Sequence, residues 1–185
     1  MVDEDRIDID TFKMLSKAIT EYDDVDEMTN SFTQLLIGSL EIKGCTIFAL
    51  NPETEELEIL GSSGLSLNYL NKGPVLVSKS IEQDLRGRPI IISDVEKSNR
   101  LQYPEDTKAE GIRAIVSLPV TIHGKFIGDL RLYHYEEWHI SDRDVDSLLL
   151  LGEKIGLALM YKRLLNALRV IKETVNEVHS VWLAA

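Results

Sequence analysis

Arginine, serine, aspartate and tyrosine side chains fall on one face of two neighbouring predicted strands, 112–122 and 126–135. Side chains along a strand alternate between its two faces. The apolar face consists of Ile112, Ala114, Val116, Leu118, Val120 and Ile122, continued by Phe126, Gly128, Leu130 and Leu132. The opposite face presents Arg113, Ser117, Asp129, Arg131 and Tyr133. Guanidinium groups beside hydroxyls suit an anionic or hydrogen-bonding ligand, so these residues form a candidate ligand-binding set.

Two roles for this polar face remain open at the level of sequence. The face could be bare and solvated, as in many antiparallel sheets, with Asp129 paired to either arginine. It could instead be the floor of a pocket roofed by the long polar loops 63–79 and 94–111. Under the second interpretation, Asp94 and Tyr103 of the later loop join the ligand-binding set.

The sequence shows no clear motif for a catalytic site or a metal site. The single cysteine, Cys45, lies in an apolar run and is interpreted as a small buried hydrophobe. The four histidines are His123, His134, His139 and His179. None has the spacing of metal ligands or of an ordered nucleophile and base. The glycines of segment 61–64 lack the lysine and helix of a phosphate-binding loop. The sequence therefore predicts a protein that is not an enzyme and has no metal site.

The charge distribution narrows the choice of partners. The 185 residues carry a net charge of −11, and residues 1–30 hold ten acidic against three basic side chains. Nucleic acids and anionic membranes attract basic surfaces, so neither is an expected partner. No apolar run approaches the ~20 residues that cross a bilayer, and the acidic start lacks the layout of a signal peptide. We therefore expect a cytoplasmic protein.

Helical patterns stand at both ends of the chain. Asp10 is the predicted cap of a first helix that runs to about Tyr22. Asp24 or Asp26 caps a second helix, which Gly44 ends. Between these helices and the C-terminal one, the apolar period changes from helical to about two, which predicts a sheet.

The extended segments alternate with turns. The predicted strands are 45–50, 57–62, 90–92, 112–122 and 126–135. Segment 80–85 is predicted to form a short helix. Ser141 is a good N-cap for a long final helix that runs to near Trp182.

That final helix carries two apolar stripes. Leu148, Leu151, Ile155 and Ala158 form a stripe that is suited to packing on the domain. The second stripe consists of Leu157, Tyr161, Leu164, Leu168, Ile171, Val175, Val178 and Trp182. Its steps alternate between four and three residues, the period of a coiled coil. We call it the seam; its pattern favours a parallel homodimer, and the alternative is a helix that folds back on its own domain.

The order of these motifs resembles that of the GAF domain family. The resemblance rests on segments 87–95, 112–120 and 126–132, Gly124, Trp138, and the pair Ser141 and Asp142. It covers residues 25–165, and the related PAS fold is the main alternative. The resemblance implies an α+β fold: an antiparallel sheet of about six strands, with N- and C-terminal helices on one face. A loop-covered pocket is expected on the other face.

Departures from the family pattern bear on cofactors. No cysteine lies in 94–111, where bilin-binding members attach their chromophore, which argues against a covalent bilin. Trp138 and Asp142 resemble part of the cyclic-nucleotide signature, but Arg143 stands where glutamate is expected, so the sequence gives that ligand no support. The family's methionine sulfoxide reductases use several cysteines, and this chain has one. No cofactor is therefore assigned.

The sequence thus predicts a non-catalytic sensor domain. It would bind an unknown small molecule on the polar face and signal through a dimeric final helix to a downstream effector domain or protein. The alternative is a structural dimerisation module of the same fold without a ligand. The predicted division is an acidic N-terminal segment and helix (1–24), a GAF-like domain (25–160) and a dimerisation helix (161–185).

Overall fold

The computed structural model describes residues 5–77 and 88–183, with side chains to residue 176. The helices are α1 (Ile9–Glu21), α2 (Val25–Leu40), α3 (Leu67–Leu70), α4 (Pro104–Ala109) and α5 (Asp142–Leu183), with a 3₁₀ turn at Val95–Lys97. The strands are β1 (Gly44–Asn51), β2 (Glu56–Ser63), β3 (Val75–Leu76), β4 (Ile90–Ile92), β5 (Ala114–Ile122) and β6 (Lys125–His134). The helix predicted at 80–85 and the side chains of Val178, His179 and Trp182 lie outside the described residues.

Carboxylates set the starts of the first two helices. Asp8, not Asp10, caps α1: its side chain accepts a hydrogen bond from the first-turn backbone at 2.8 Å. Asp24 caps α2 in the same way, as predicted. The end of α2 differs from the prediction, because Glu41 adopts the left-handed conformation at φ 51° while Gly44 already belongs to β1.

Six antiparallel strands form one sheet in the order β3-β2-β1-β6-β5-β4. The register aligns Ser117 of β5 with Arg131 of β6, and Arg131 in turn with Thr46 of β1. Three polar side chains therefore lie side by side across the centre of the sheet, on the face away from the long helices.

The helices α1, α2 and α5 cover the other face of the sheet. The sheet contributes Cys45, Ile47, Ala114, Val116, Leu118, Val120, Leu130 and Leu132 to this core, all fully buried. Phe32 of α2 and Leu148, Leu151 and Ile155 of α5 are equally buried against them. This arrangement confirms the predicted α+β architecture with helices on one face.

A bulge in β6 changes the predicted facing of two side chains. Thr121 pairs with Phe126, but the preceding Val120 pairs with Gly128, so Ile127 is an extra residue in β6. Phe126 consequently packs against the cluster of Phe48, Leu57 and Val75 on the polar side, while Ile127 packs on the helix side. The strict alternation predicted for these two positions was wrong.

Loops and short helices cover the second face of the sheet. Tyr69 of α3, Val95 of the 3₁₀ turn and Ile112 pack there against Ile115 and Tyr133. Ile112 was predicted on the apolar helix side, but β5 begins only at Ala114, so the alternation does not extend back to it. The polar face is a covered floor and not a bare surface.

The last helix leaves the domain after covering it. Every described side chain from Arg163 to Asn176 is exposed, and the 24 residues from Met160 to Leu183 extend about 36 Å at 1.5 Å per residue. The helix is continuous and does not fold back on the sheet. Among the helices of the described part of the chain, none combines the length and hydropathy that a membrane-crossing segment needs.

Candidate functional site

Ser117, Asp129 and Arg131 form a buried hydrogen-bonded group that we call the polar cluster. The Ser117 hydroxyl donates to the Asp129 carboxylate, with Oγ 2.6 and 2.8 Å from its two oxygens. Arg131 Nε donates to Asp129 Oδ2 at 2.9 Å. Asp129 is 1% exposed and Arg131 8%. A buried carboxylate is stable only when it is paired and hydrogen-bonded, and these two neighbours satisfy that requirement.

The arginine side chain retains donor capacity beyond this pair. Arg131 Nη2 lies 2.7 Å from Asp129 Oδ2 but makes no hydrogen bond with acceptable geometry, although it is fully buried. The guanidinium carbon lies 5.1 Å from the centroid of the Phe48 ring. Arg131 is therefore paired with Asp129, while its side chain also lines the cavity described next.

A small cavity lies between the polar cluster and the roof. Its lining residues are Tyr69, Lys72, Val75, Leu101, Gln102, Tyr103, Thr107, Ile115 and Arg131. Its volume is about 40 Å³, room for a few water-sized groups at roughly 10–15 Å³ each. A larger ligand would require the roof to open.

Two tyrosines carry neutral hydroxyl groups at this site: Tyr69 lines the cavity, and Tyr133 lies buried beneath it. The rings of Tyr69 and Tyr133 meet edge to face with centroids 5.7 Å apart. Burial raises the pKa of both phenols. Both hydroxyls therefore stay protonated and can donate hydrogen bonds.

Lys72 is a cavity residue that the sequence analysis missed. Its Nζ donates to the Tyr69 carbonyl at 2.9 Å and lies 3.8 Å from the centroid of the Tyr69 ring. Burial, followed by repulsion from Arg131, lowers the pKa of Lys72 to about 8. Its only sequence signal was its place in the predicted roof loop 63–79, which does not reveal the direction of a side chain.

Hydrogen bonds to one carbonyl hold the roof closed. Tyr103 Oη and Gln102 Nε2 both donate to the Pro74 carbonyl, at 2.8 and 2.9 Å. The Gln102 side-chain oxygen accepts from Leu76 N at 3.2 Å. Gly73 has φ +130°, and a Cβ there would lie 2.7 Å from Tyr103 Oη, so the closed roof requires glycine at this position.

The predicted site residues divide into two groups. Arg131 and Tyr103 line the cavity, with Ser117, Asp129 and Tyr133 buried beneath it. Arg113 and Asp94 instead pair with each other outside the lining, with Arg113 Nε 3.0 Å from Asp94 Oδ1. Asp94 also accepts a hydrogen bond from the backbone of the 3₁₀ turn, so this pair fixes the rim.

The single cysteine lies on the helix side of the sheet, away from this cavity. Cys45 is fully buried among the helix-side residues. Burial raises the pKa of its thiol, so it is not a nucleophile at neutral pH. Within residues 5–77 and 88–176, no group of three or more His, Cys, Asp or Glu side chains could hold a metal ion.

The seam predicted on α5 is exposed wherever the structure describes its side chains. Its described members are between 54% and 62% exposed: Leu157, Tyr161, Leu164, Leu168, Ile171 and Val175. An apolar stripe of this length is an unusual surface for a lone helix and is typical of an interaction site.

Solved structures of low sequence identity share this fold. The GAF domain of a phosphoenolpyruvate-protein phosphotransferase from Coxiella burnetii has a TM-score of 0.76 at 13% identity, covering 86% of this chain and 96% of that one. The nlh2 GAF domain of A. aeolicus, in an inactive state, has a TM-score of 0.65 at 19% identity, with 83% and 96% covered. Free methionine-R-sulfoxide reductase from Neisseria meningitidis, in complex with its substrate, scores 0.69 at 11% identity, with 88% and 97% covered.

The sequence itself identifies the family. A search of curated protein sequences finds no match to the chain. The GAF domain family model, in contrast, matches residues 24–159, which include every strand and most of the core. The chain belongs to the GAF domain family, a family of signalling sensor modules.

Proposed function

We propose that this domain is a non-catalytic sensor that binds a small molecule against the polar cluster and transmits binding through a dimeric α5. The polar cluster carries the proposal: it buries Asp129 and Arg131, two charged groups that contribute nothing to the apolar core, under a closed roof. A binding site would give this arrangement a function, because Arg131 of the buried pair also lines a cavity, and charged groups in a cavity are functional-site candidates.

The strand β5 provides a direct route from the cavity to α5. Ser117 belongs to the polar cluster, while its neighbours Val116 and Leu118 point into the core beneath the helices. Further along, Gly156 of α5 approaches Val120 so closely that a Cβ there would lie 3.2 Å from its side chain. A ligand that shifts β5 would therefore shift α5, because close-packed interiors transmit small displacements.

The exposed seam of α5 is the proposed output. In a parallel dimer, each seam residue would pack beside its counterpart in the second copy. Residues 161–185 would then form the dimerisation helix and residues 25–160 the sensing domain, preceded by an acidic segment, 1–24. The partner that receives the signal would be an effector domain or a separate protein.

Disulfide trapping tests the output directly. Leu168→Cys places a thiol at the seam, while Asn166→Cys places one on the opposite side of α5; Cys45 is buried and does not compete. We expect mild oxidation to cross-link Leu168→Cys as a dimer and to leave Asn166→Cys monomeric. Equal cross-linking of both variants would contradict a dimer through this seam.

Ligand binding is tested by thermal shift on the full chain. A molecule that binds the folded state alone raises the melting temperature by mass action. We expect a hit from a panel of small metabolites to lose its shift when Thr107→Val or Lys72→Met alters the cavity lining.

The same hit should change the rate of Leu168→Cys cross-linking. An unchanged rate with a bound ligand would contradict the transmission.

A structural dimerisation module without a ligand is the second candidate. The small cavity, about 40 Å³, favours it, because pockets for drug-sized ligands enclose roughly 300–1,000 Å³. Weakening the hydrogen bonds that close the roof distinguishes the two candidates. Tyr103→Phe removes the hydrogen bond from Tyr103 Oη to the Pro74 carbonyl and should quicken ligand binding to a sensor. In a purely structural module the same substitution should change only the stability.

A further inference from the structure

Among the described residues that line the cavity of the proposed sensor, the charged side chains are two cations, Arg131 and Lys72. Arg131 approaches from the floor and Lys72 from the roof. We propose that the ligand is a small carboxylate, bound between Arg131 and Lys72. This inference rests on the proposed function and specifies its ligand class.

Arg131 supplies the buried half of the site. The side chain is 8% exposed and lines the cavity, and its Nη2 lies 2.7 Å from Asp129 Oδ2 without forming a hydrogen bond of acceptable geometry. Asp129 accepts hydrogen bonds from Ser117 Oγ and Arg131 Nε and forms a salt bridge with the guanidinium, so its charge is paired with Arg131. A guanidinium is planar and presents paired donors that match a carboxylate. A ligand carboxylate in the cavity would therefore lie beside this guanidinium.

Lys72 supplies the second charge, and the two carboxylates that act on it lie outside the cavity lining. The charged groups that act on Lys72 are Arg131 of β6, together with Asp106 and Glu110 at α4. Glu110 is already held by the Ser66 hydroxyl and lies 3.5 Å from Lys43 Nζ. Two like charges in one cavity repel, and a bound anion relieves that repulsion. The two charged side chains of the cavity lining, Lys72 and Arg131, together with Asp129 beneath them carry one net positive charge, which suits a monoanion.

The cavity's size and walls restrict the ligand further. A volume of about 40 Å³ admits a carboxylate group with one or two carbons while the roof stays closed. The rings of Tyr69 and Tyr103 form the aromatic part of the lining, with Lys72 Nζ 3.8 and 5.8 Å from their centroids. The ligand is thus a short carboxylic acid, or a larger molecule that presents such a group.

Protonation of Lys72 makes the affinity depend on pH. The pKa of Lys72 lies at about 8 in the ligand-free protein, because of burial and the nearby Arg131. Above that pH the ammonium loses its charge and only Arg131 attracts the anion. Affinity for a carboxylate should therefore fall at least tenfold between pH 6.5 and 9.5.

The test is an NMR titration of the full chain with acetate, pyruvate and succinate, and with acetamide as the neutral isostere of acetate. The reporters are the Arg131 Nε–H and the amides of Ser117 and Tyr69. We expect saturable shifts with the monoanions and none with acetamide. Lys72→Met should weaken binding at least tenfold and remove its pH dependence. The control Lys97→Met removes an exposed lysine outside the cavity lining and should leave binding unchanged.

Each other outcome has a defined meaning. If no carboxylate shifts these reporters saturably, or if acetamide shifts them equally, the anion proposal is overturned. Saturable binding of neutral molecules alone would overturn it while leaving the sensor function in place. Binding that survives unchanged in Lys72→Met would also overturn it. Carboxylate binding without any change in Leu168→Cys cross-linking would support the site and contradict the sensor's transmission.

Discussion

At the scale of single residues, the Ser117 hydroxyl is the simplest test of the buried charge. Ser117→Ala removes a donor to Asp129 and leaves that carboxylate only partly satisfied. We expect a loss of about 1–3 kcal/mol in the free energy of unfolding. Urea denaturation monitored by circular dichroism measures this loss. Ser147→Ala on α5 is the control, and a loss of similar size there would contradict the argument.

His134, on the helix-covered face of the sheet, makes the stability of the domain depend on pH. Burial and the nearby Arg6 lower the pKa of this histidine, whose Nε2 is buried without a hydrogen-bond partner. The unfolded chain binds a proton near pH 6.5, while the folded chain resists it. Stability contributed by neutral His134 is therefore fully present above pH 6.5 and is lost as the pH falls below that value.

A conservative variant isolates this effect. His134→Asn keeps an acceptor for the Glu136 amide, which donates to His134 Nδ1 at 3.0 Å. We expect the difference in melting temperature between pH 7.5 and 5.5 to shrink in His134→Asn. The exposed His139→Asn serves as the control. A pH dependence that is identical in all three proteins would refute the assignment.

The sequence predicted the floor of the site better than its roof. Regular alternation along β5 and β6 placed Ser117, Asp129 and Arg131 on one face, because register and pleat act over the whole strand. Arg113 precedes the first residue of β5 and is held at the rim by Asp94. Lys72 was not foreseen, because no periodicity governs where a loop side chain points.

At the scale of elements, two glycines predict opposite effects of the same substitution. Gly38 lies in α2 with nothing within 4 Å of a Cβ. Gly38→Ala should raise the free energy of unfolding by about 0.5–1 kcal/mol, because alanine restricts the unfolded chain. Gly128 lies in β6, where a Cβ would be 2.2 Å from the Phe48 carbonyl oxygen. Gly128→Ala should separate β6 from β1 and lower stability.

Thermal unfolding of the two variants measures this contrast. At this chain length a change of about 1 kcal/mol moves the melting temperature by about 2–4 °C. The prediction fails if the melting temperatures of Gly38→Ala and Gly128→Ala move in the same direction.

The element boundaries show what sequence patterns leave out. A period of two predicted both central strands, yet the extra residue Ile127 reversed the facing of Phe126, since alternation alone does not reveal a bulge. Asp8 and Asp10 are both good caps by residue type. Which of them caps α1 depends on where the preceding chain docks: Ile7 N donates to the buried Asp144 on α5.

At the scale of the whole molecule, the seam predicts the oligomeric state. Leu164→Asp with Ile171→Asp places two carboxylates in the proposed interface, where desolvation makes them costly. We expect a dimer in the unaltered chain and a monomer in this variant. The domain should keep its melting behaviour, because these exposed residues lie beyond the core.

A matched variant controls for added charge. Asn166→Asp with Val170→Asp introduces two carboxylates on the same helix but outside the seam. Sedimentation equilibrium should give a dimer for this control. A monomeric control, or a seam variant that stays dimeric, would refute the assigned interface.

Because α5 is one continuous helix, it fixes both the distance of the seam from the domain and the direction in which the seam points about the helix axis. Each helical residue turns the chain by about 100°, so one residue inserted between Leu159 and Leu164 would rotate the seam by that angle relative to the sheet. Seven inserted residues would return the seam to within about 20° of its original direction. The rotational phase of α5, and not only its length, would therefore determine how the sheets of the two copies face each other in the proposed dimer.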